Sequence, residues 1–145
     1  MGNETVVTGV LQDIHHLGII VIKGALEQAG FKVVNLGGRV SQEEFIQAAT
    51  ETAAGSIFIS TSTGHAEIEC EGMREKCKES GLDDILLYLG GNLVIDPHQE
   101  QKWEDIERRF KKLGFDRVYP PDCKIAAVIA DLKADLATRA KGGPA

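Results

Sequence analysis

Five short apolar runs, separated by longer amphipathic stretches, set the limits on what this chain can become. Thr5 to Leu11 (TVVTGVL), Phe31 to Leu36 (FKVVNL), Ser56 to Ser60 (SIFIS), Ile85 to Leu89 (ILLYL) and Phe115 to Tyr119 (FDRVY) are β-branched or aromatic, with Gly or Asp nearby. Runs this short predict strands, most of them apolar enough to be buried on both faces, as in a parallel sheet. The stretches between them read as helices. Ser41 with Glu44 three residues on is a capping box opening a helix that runs to about Ala53. Glu67 to Ser80 predicts one charged helix, carrying Cys70 and Cys77 and stopped by Gly81. Trp103, Ile106, Phe110 and Leu113 form one apolar helical stripe, and Ile125, Ile129, Leu132 and Leu136 form another. Gly30-Phe31 and Gly114-Phe115 mark helix-to-strand turns, with Gly at the helix end.

Five strands alternating with five helices specify one α/β domain with a parallel sheet. Its expected extent is residues 1–140, with 141–145 (KGGPA) as a frayed tail. At 145 residues the chain is near the usual size of one domain and should bury about two-thirds of its unfolded surface. Right-handed crossovers and short connections favour a single doubly wound, flavodoxin-like (Rossmann-like) five-stranded sheet of order 2-1-3-4-5, flanked by helices.

Charge removes several partners. Sixteen Lys and Arg against 22 Asp and Glu leave a net charge of −6. That excludes nucleic acid as a default partner and argues against an anionic membrane surface. No stretch approaches the roughly 20 apolar residues of a membrane span. Met1 to Val10 lacks the pattern of a signal peptide, so a cytoplasmic location is expected. Cys70, Cys77 and Cys123 match no zinc framework in their spacing and read as reduced thiols. Glycine is the outlier: 16 are present, where a usual level of about 7% gives about ten.

The expected fold says where to look for function. Ligands of open α/β sheets bind beyond the carboxyl ends of the strands, beside the switch point. The loops concerned are Gln12 to Gly18, Thr61 to Ala66 and Gly90 to Pro97. In the first, Asp13 stands two residues before His15, so it can accept the proton of one ring nitrogen and leave the other free for a metal. One His and one carboxylate cannot enclose a zinc. A metal that brings its own equatorial ligands needs only an axial one, and Gly18 would let a flat macrocycle approach the backbone. The same residues also suit a solvated loop capping the first helix. Ser60, Ser62, Gly64, Ala66, Gly90 and Gly91 are all small, as a tail threaded at the strand ends requires, although each alone is ordinary turn chemistry. Gly37-Gly38, off the switch point, reads as a turn.

Asp13-x-His15-x-x-Gly18 after an N-terminal strand resembles the D-x-H-x-x-G motif of domains that hold cobalamin base-off and His-on. Ser60-Thr61-Ser62 and Gly90-Gly91 stand where those domains carry Ser-x-Leu and Gly-Gly. FKVVN (from Phe31), MREKC (from Met73), GGN (from Gly90) and GFDRVYPP (from Gly114) resemble the small subunits of glutamate mutases, over about Thr5 to Leu136. The resemblance implies that His15 is the lower axial ligand of cobalt and that Asp13 holds its other nitrogen. Gln12, Ile14 and His16 would surround the lower face of the corrin. Ser60, Thr61 and Ser62 would line the channel for the nucleotide tail, with Gly64, Gly90 and Gly91 clearing space. Asn92, Leu93, Val94, Ile95 and Asp96 would wall the far side. It further implies adenosylcobalamin, a radical interconversion of L-glutamate and (2S,3S)-3-methylaspartate, and a large catalytic subunit in a heterotetramer of two of each.

Ser62, Thr63 and Ala66 depart from the family's Leu, aromatic residue and Gly, all of them in the tail channel. His65 reads as a solvated loop residue, and His98, following Asp96-Pro97, as lying near a helix start. Alternative readings are the small subunit of an acyl-CoA mutase, or a corrinoid carrier or cobalamin-sensing module. A phosphoacceptor receiver of the same topology would need an Asp where strand three ends in Ser60.

Overall fold

The computed structural model describes residues 4–11, 17–62, 65–93 and 100–140. Among them a five-stranded sheet forms from β1 (Thr5–Val10), β2 (Lys32–Asn35), β3 (Ser56–Ser60), β4 (Leu86–Gly90) and β5 (Arg117–Val118). The order is β2-β1-β3-β4-β5 and every pairing is parallel. Topology and strand identity follow the sequence reading, with ends shifted by a residue or two. Leu11 continues β1 as an isolated bridge to Val40.

Six helices are described where five were expected: α1 (Leu17–Gln28), α2 (Gln42–Thr52), α3 (Ala66–Cys70), α4 (Met73–Glu79), α5 (Trp103–Lys112) and α6 (Ile125–Ala140). The single helix expected over Glu67 to Ser80 is broken after Cys70. Gly72 adopts φ +83°, a left-handed conformation open to glycine, and the chain turns there before α4 starts. Cys70 and Cys77 therefore sit on different helices, though both stay buried in one core. The capping box on α2 forms as read: the Glu44 N–H donates to Ser41 Oγ at 3.1 Å, and the Ser41 N–H donates to Glu44 Oε1 at 3.0 Å.

Strand alternation divides the core between the two faces of the sheet. Val7, Ile57, Ile59, Leu87 and Leu89 pack with Phe45 of α2, Cys70 of α3, Met73 of α4 and Phe110 of α5. Val6, Val10, Phe58, Leu86 and Tyr88 pack with Ile19 and Leu26 of α1 and Val128 and Leu132 of α6. Apolar side chains on both faces explain why the strand runs are continuously hydrophobic. The Gly37 turn closes on β1, whose Val10 N–H donates to Gly37 O at 2.8 Å.

Two arginines close the amino edge of the sheet. Arg74 donates to Gly114 O, Ile85 O and Asp116 at 2.7–2.9 Å. Arg139 donates to Gly55 O at 3.0 Å and Asp84 O at 2.7 Å. With that edge clamped, the carboxyl edge is left for function.

Candidate functional site

At the carboxyl edge the three central strands end level with one another. Ser60 is in register with Val10 on one side and Gly90 on the other. The Leu11 N–H donates to Ser60 O at 2.9 Å, and the Thr61 N–H donates to Gly90 O at 3.1 Å, so the ladder continues just past the strands. This is the switch point between β1 and β3, where open sheets bind ligands.

Alternation separates residues that stand side by side in sequence. Phe58 and Tyr88 face α1 and α6, so Ser60 and Gly90, two residues on, turn to that same side. Both are only half-buried. A Cβ at Gly90 would come no nearer than 3.9 Å to Tyr119, so the surface there is low rather than filled. Thr61 follows Ile57 and Ile59 to the opposite face and is fully buried. Its Oγ1 has no hydrogen-bond partner, which is costly for a hydroxyl out of water.

Gly91 has a separate reason to be glycine. Its φ is +116°, and a Cβ would lie 2.1 Å from the carbonyl oxygen of Thr61. The Asn92 N–H approaches Ser62 Oγ at 3.5 Å, and Leu93 is buried in the α2–α5 face. The structure thus brings Ser60, Thr61, Ser62, Gly90, Gly91, Asn92 and Leu93 together at the ends of β3 and β4. Gly18 stands inside the first turn of α1 rather than in a loop. Gln12, Asp13, Ile14, His15, His16, Gly64, Val94, Ile95 and Asp96 lie outside the described residues, as do Thr63, His98 and the tail.

Sequence reasoning missed a polar network under the same edge. Tyr88 Oη donates to Asp135 of α6, and Tyr119 Oη donates to Asp131 at 2.9 Å. Arg117 binds Asp135 with two hydrogen bonds, of 2.7 and 2.9 Å, and approaches Asp131 at 3.5 Å. Burial, reinforced by Asp135, pushes the Tyr88 hydroxyl well above its ordinary value; burial and Asp131 do the same to Tyr119. The Arg117 guanidinium holds the Asp135 carboxyl below the usual range. These tyrosines are therefore neutral donors that fix β5 and α6 beneath Gly90. The sequence signal was Asp131 and Asp135, four apart and so on one side of α6. Burial pushes the Cys70 thiol up to about 12 and Cys77 to about 11, so neither is a nucleophile.

Comparison with known proteins matches the arrangement to a family. The B12 binding domain family matches residues 3–109. The glutamate mutase sigma subunit of Carboxydothermus hydrogenoformans is 49% identical over 137 residues, covering 94% of this chain and 98% of that protein. The chain belongs to the glutamate mutase sigma subunit family.

The sigma subunit of Clostridium cochlearium is 48% identical over the same shares. Among solved structures, a cobalamin-binding protein from Desulfitobacterium hafniense superposes with TM-score 0.73 at 19% identity, over 92% of this chain and 59% of that one. A Francisella response-regulator receiver domain superposes with TM-score 0.66 at 13% identity, over 92% and 96%. Those two likenesses speak for the flavodoxin-like fold alone. Family membership rests on the sigma-subunit matches, which run almost end to end. No described helix is long and apolar enough to cross a membrane.

Proposed function

We propose that this chain is the cobalamin-binding subunit of an adenosylcobalamin-dependent mutase. The reaction is the interconversion of L-glutamate and (2S,3S)-3-methylaspartate. It takes place in the cytoplasm with a large catalytic subunit, in an assembly of two copies of each. The observation that carries this reading is the near end-to-end identity with named sigma subunits. The carboxyl edge supports it: Ser60 and Gly90 are small and side by side where a flat cofactor and its tail need room. Thr61 adds a buried hydroxyl still lacking a partner at the same edge.

When bound, adenosylcobalamin supplies an organic radical through cleavage of its Co–C bond. The protein holds and orients it. His15 would ligate the cobalt, and Asp13 would accept the proton on its other ring nitrogen, fixing tautomer and basicity. Gln12, Ile14, His16 and Gly18 would form the surface beneath the corrin. Ser60 and Ser62 would line the tail channel, with Gly64 and Gly90 leaving it room, Gly91 drawing the end of β4 against Thr61, and Asn92 to Asp96 forming its far wall. Thr61 is buried at the same strand end, turned to the opposite face of the sheet. Dicarboxylates are commonly met by arginine forks. Of the described arginines near this edge, Arg117 is engaged with Asp135 and Arg109 with Glu67, which leaves the single exposed Arg39 for a substrate with two carboxylates. The substrate site therefore belongs to the large subunit.

The test is reconstitution. The chain is mixed with a glutamate mutase large subunit and adenosylcobalamin, and 3-methylaspartate formation is assayed. Activity only when all three are present is expected. Tight cobalamin binding without turnover would reassign the chain to a different mutase.

A further inference from the structure

Gln42 is a buried polar residue that the site as described does not use. It opens α2, is 8% exposed, and spends both amide hydrogens on one target. Its Nε2 donates to Glu69 O at 2.6 Å and to Glu71 O at 2.9 Å. Those carbonyls belong to the carboxyl end of α3, where helices leave acceptors unsatisfied. Gln42 Oε1 is buried with no partner of its own, so this amide is kept at a cost.

The element it holds is short. Five residues cannot sustain a helix in isolation, so α3 stands where its neighbours fix it. At its first turn Glu67 receives two hydrogen bonds from Arg109 of α5, at 2.8 and 3.0 Å. At its last turn Gln42 supplies the other anchor, while Ala66 and Cys70 are buried between. Only residues 61–65 separate β3 from α3, so the placing of α3 is tied to the end of β3.

We propose that Gln42 is a positioning residue for cobalamin binding. By clamping the carboxyl end of α3 from α2, it pre-places α3 beside the end of β3, where Ser60 and Ser62 receive the tail. This rests on the cobalamin reading above. Pre-ordering lowers the ordering cost of binding, so its loss shows first in affinity. Stability suffers less, because Gln42→Leu replaces an unpartnered oxygen with apolar atoms. Glu71 is exposed and Glu69 half-buried, so water can reach their carbonyls once the clamp is gone.

The test is titration of the apo chain with hydroxocobalamin, followed by absorbance, for the wild type, Gln42→Leu and Gln42→Glu. Arg139→Met is the control, because Arg139 also donates to two backbone carbonyls, at the opposite edge. Gln42→Leu should weaken affinity about ten-fold, the loss of roughly one or two hydrogen bonds. Its melting midpoint should stay within about 4 °C of wild type. Gln42→Glu, which turns a carboxylate on two carbonyls, should bind more weakly still. Both should keep the protein-nitrogen signature of cob(II)alamin, since the axial ligand is untouched. Arg139→Met should melt lower and bind normally. Unchanged affinity in Gln42→Leu, or an equal loss in Arg139→Met, would overturn the proposal. If Gln42→Leu does not fold, Gln42→Met takes its place with the same criteria. A wild-type chain that fails to bind cobalamin would instead sink the functional reading, and this inference with it.

Discussion

Gly91 and Thr61 meet backbone to backbone: a Cβ on Gly91 would sit 2.1 Å from the Thr61 carbonyl oxygen and 3.1 Å from its nitrogen. The Thr61 N–H, on the same peptide edge, is held by Gly90 O. The segments leaving β3 and β4 are therefore pressed together by the absence of one side chain. Gly91→Ala must bear a left-handed φ, roughly 1–2 kcal/mol for a residue with a Cβ, plus the displacement of Thr61. A loss of about 2–4 kcal/mol in urea unfolding is expected. A loss within about 0.5 kcal/mol would mean that the two segments part without cost.

Gly90 makes the opposite prediction from one position away. A Cβ there meets nothing closer than 3.9 Å, and alanine suits a strand better than glycine. Gly90→Ala should fold with stability within about 1 kcal/mol of wild type. It should nevertheless bind cobalamin more weakly, because the new methyl occupies the low surface beside Ser60. Calorimetry of folding and a cobalamin titration on one preparation decide this. Normal binding would remove Gly90 from the channel.

Tyr88 and Asp135 give a pH signature of both signs. The Asp135 carboxyl lies below its ordinary value, chiefly through Arg117. Its contribution is present above about pH 4 and lost as pH falls through the folded value. The Tyr88 hydroxyl is raised, so its contribution is complete below about pH 10 and lost as pH rises beyond it. Tyr88→Phe should cost about 1.5–3 kcal/mol at neutral pH, the range for a hydrogen bond to a charged group. It should also flatten the alkaline fall in stability, with a remainder from Tyr119. Urea midpoints from pH 3 to 11 report both limbs. An unchanged alkaline slope in the variant would exclude Tyr88 as its source.

His15→Ala tests the axial assignment directly. Cobalamin binding should weaken, or the cofactor should remain base-on. An electron paramagnetic resonance spectrum of cob(II)alamin that kept a protein-nitrogen ligand in this variant would assign the ligand elsewhere, with His16 the nearest candidate.

Much of the fold was legible because its signals are local. β3 was read to its exact limits, Ser56 to Ser60, since a buried strand between Gly55 and a turn has no competing pattern. The capping box at Ser41 and the glycine turns at Gly30 and Gly114 likewise lie within a few residues of the structure they make. The helix over Glu67 to Ser80 was misread for the converse reason. Its charge and spacing suit one helix, but the break after Cys70 is supported by Gln42, 27 residues upstream of Glu69.

The site divides the same way. That Ser60, Thr61, Ser62, Gly90 and Gly91 would gather at one edge followed from strand order alone. Which of them faces α1 and α6, and which is turned away, depended on the register of β3 with β1 and β4. The excess of glycine was visible from the start, yet composition could not separate Gly90, beside open surface, from Gly91, pressed on Thr61. By itself the sequence determined the parallel sheet, its order and the family, because periodicity, turn chemistry and motif spacing are written over short stretches. Only the tertiary structure decided the Thr61–Gly91 contact, the Gln42 clamp and the Tyr88–Asp135 network. Each joins groups 27 to 47 residues apart, and only packing of the whole domain brings such groups within bonding distance.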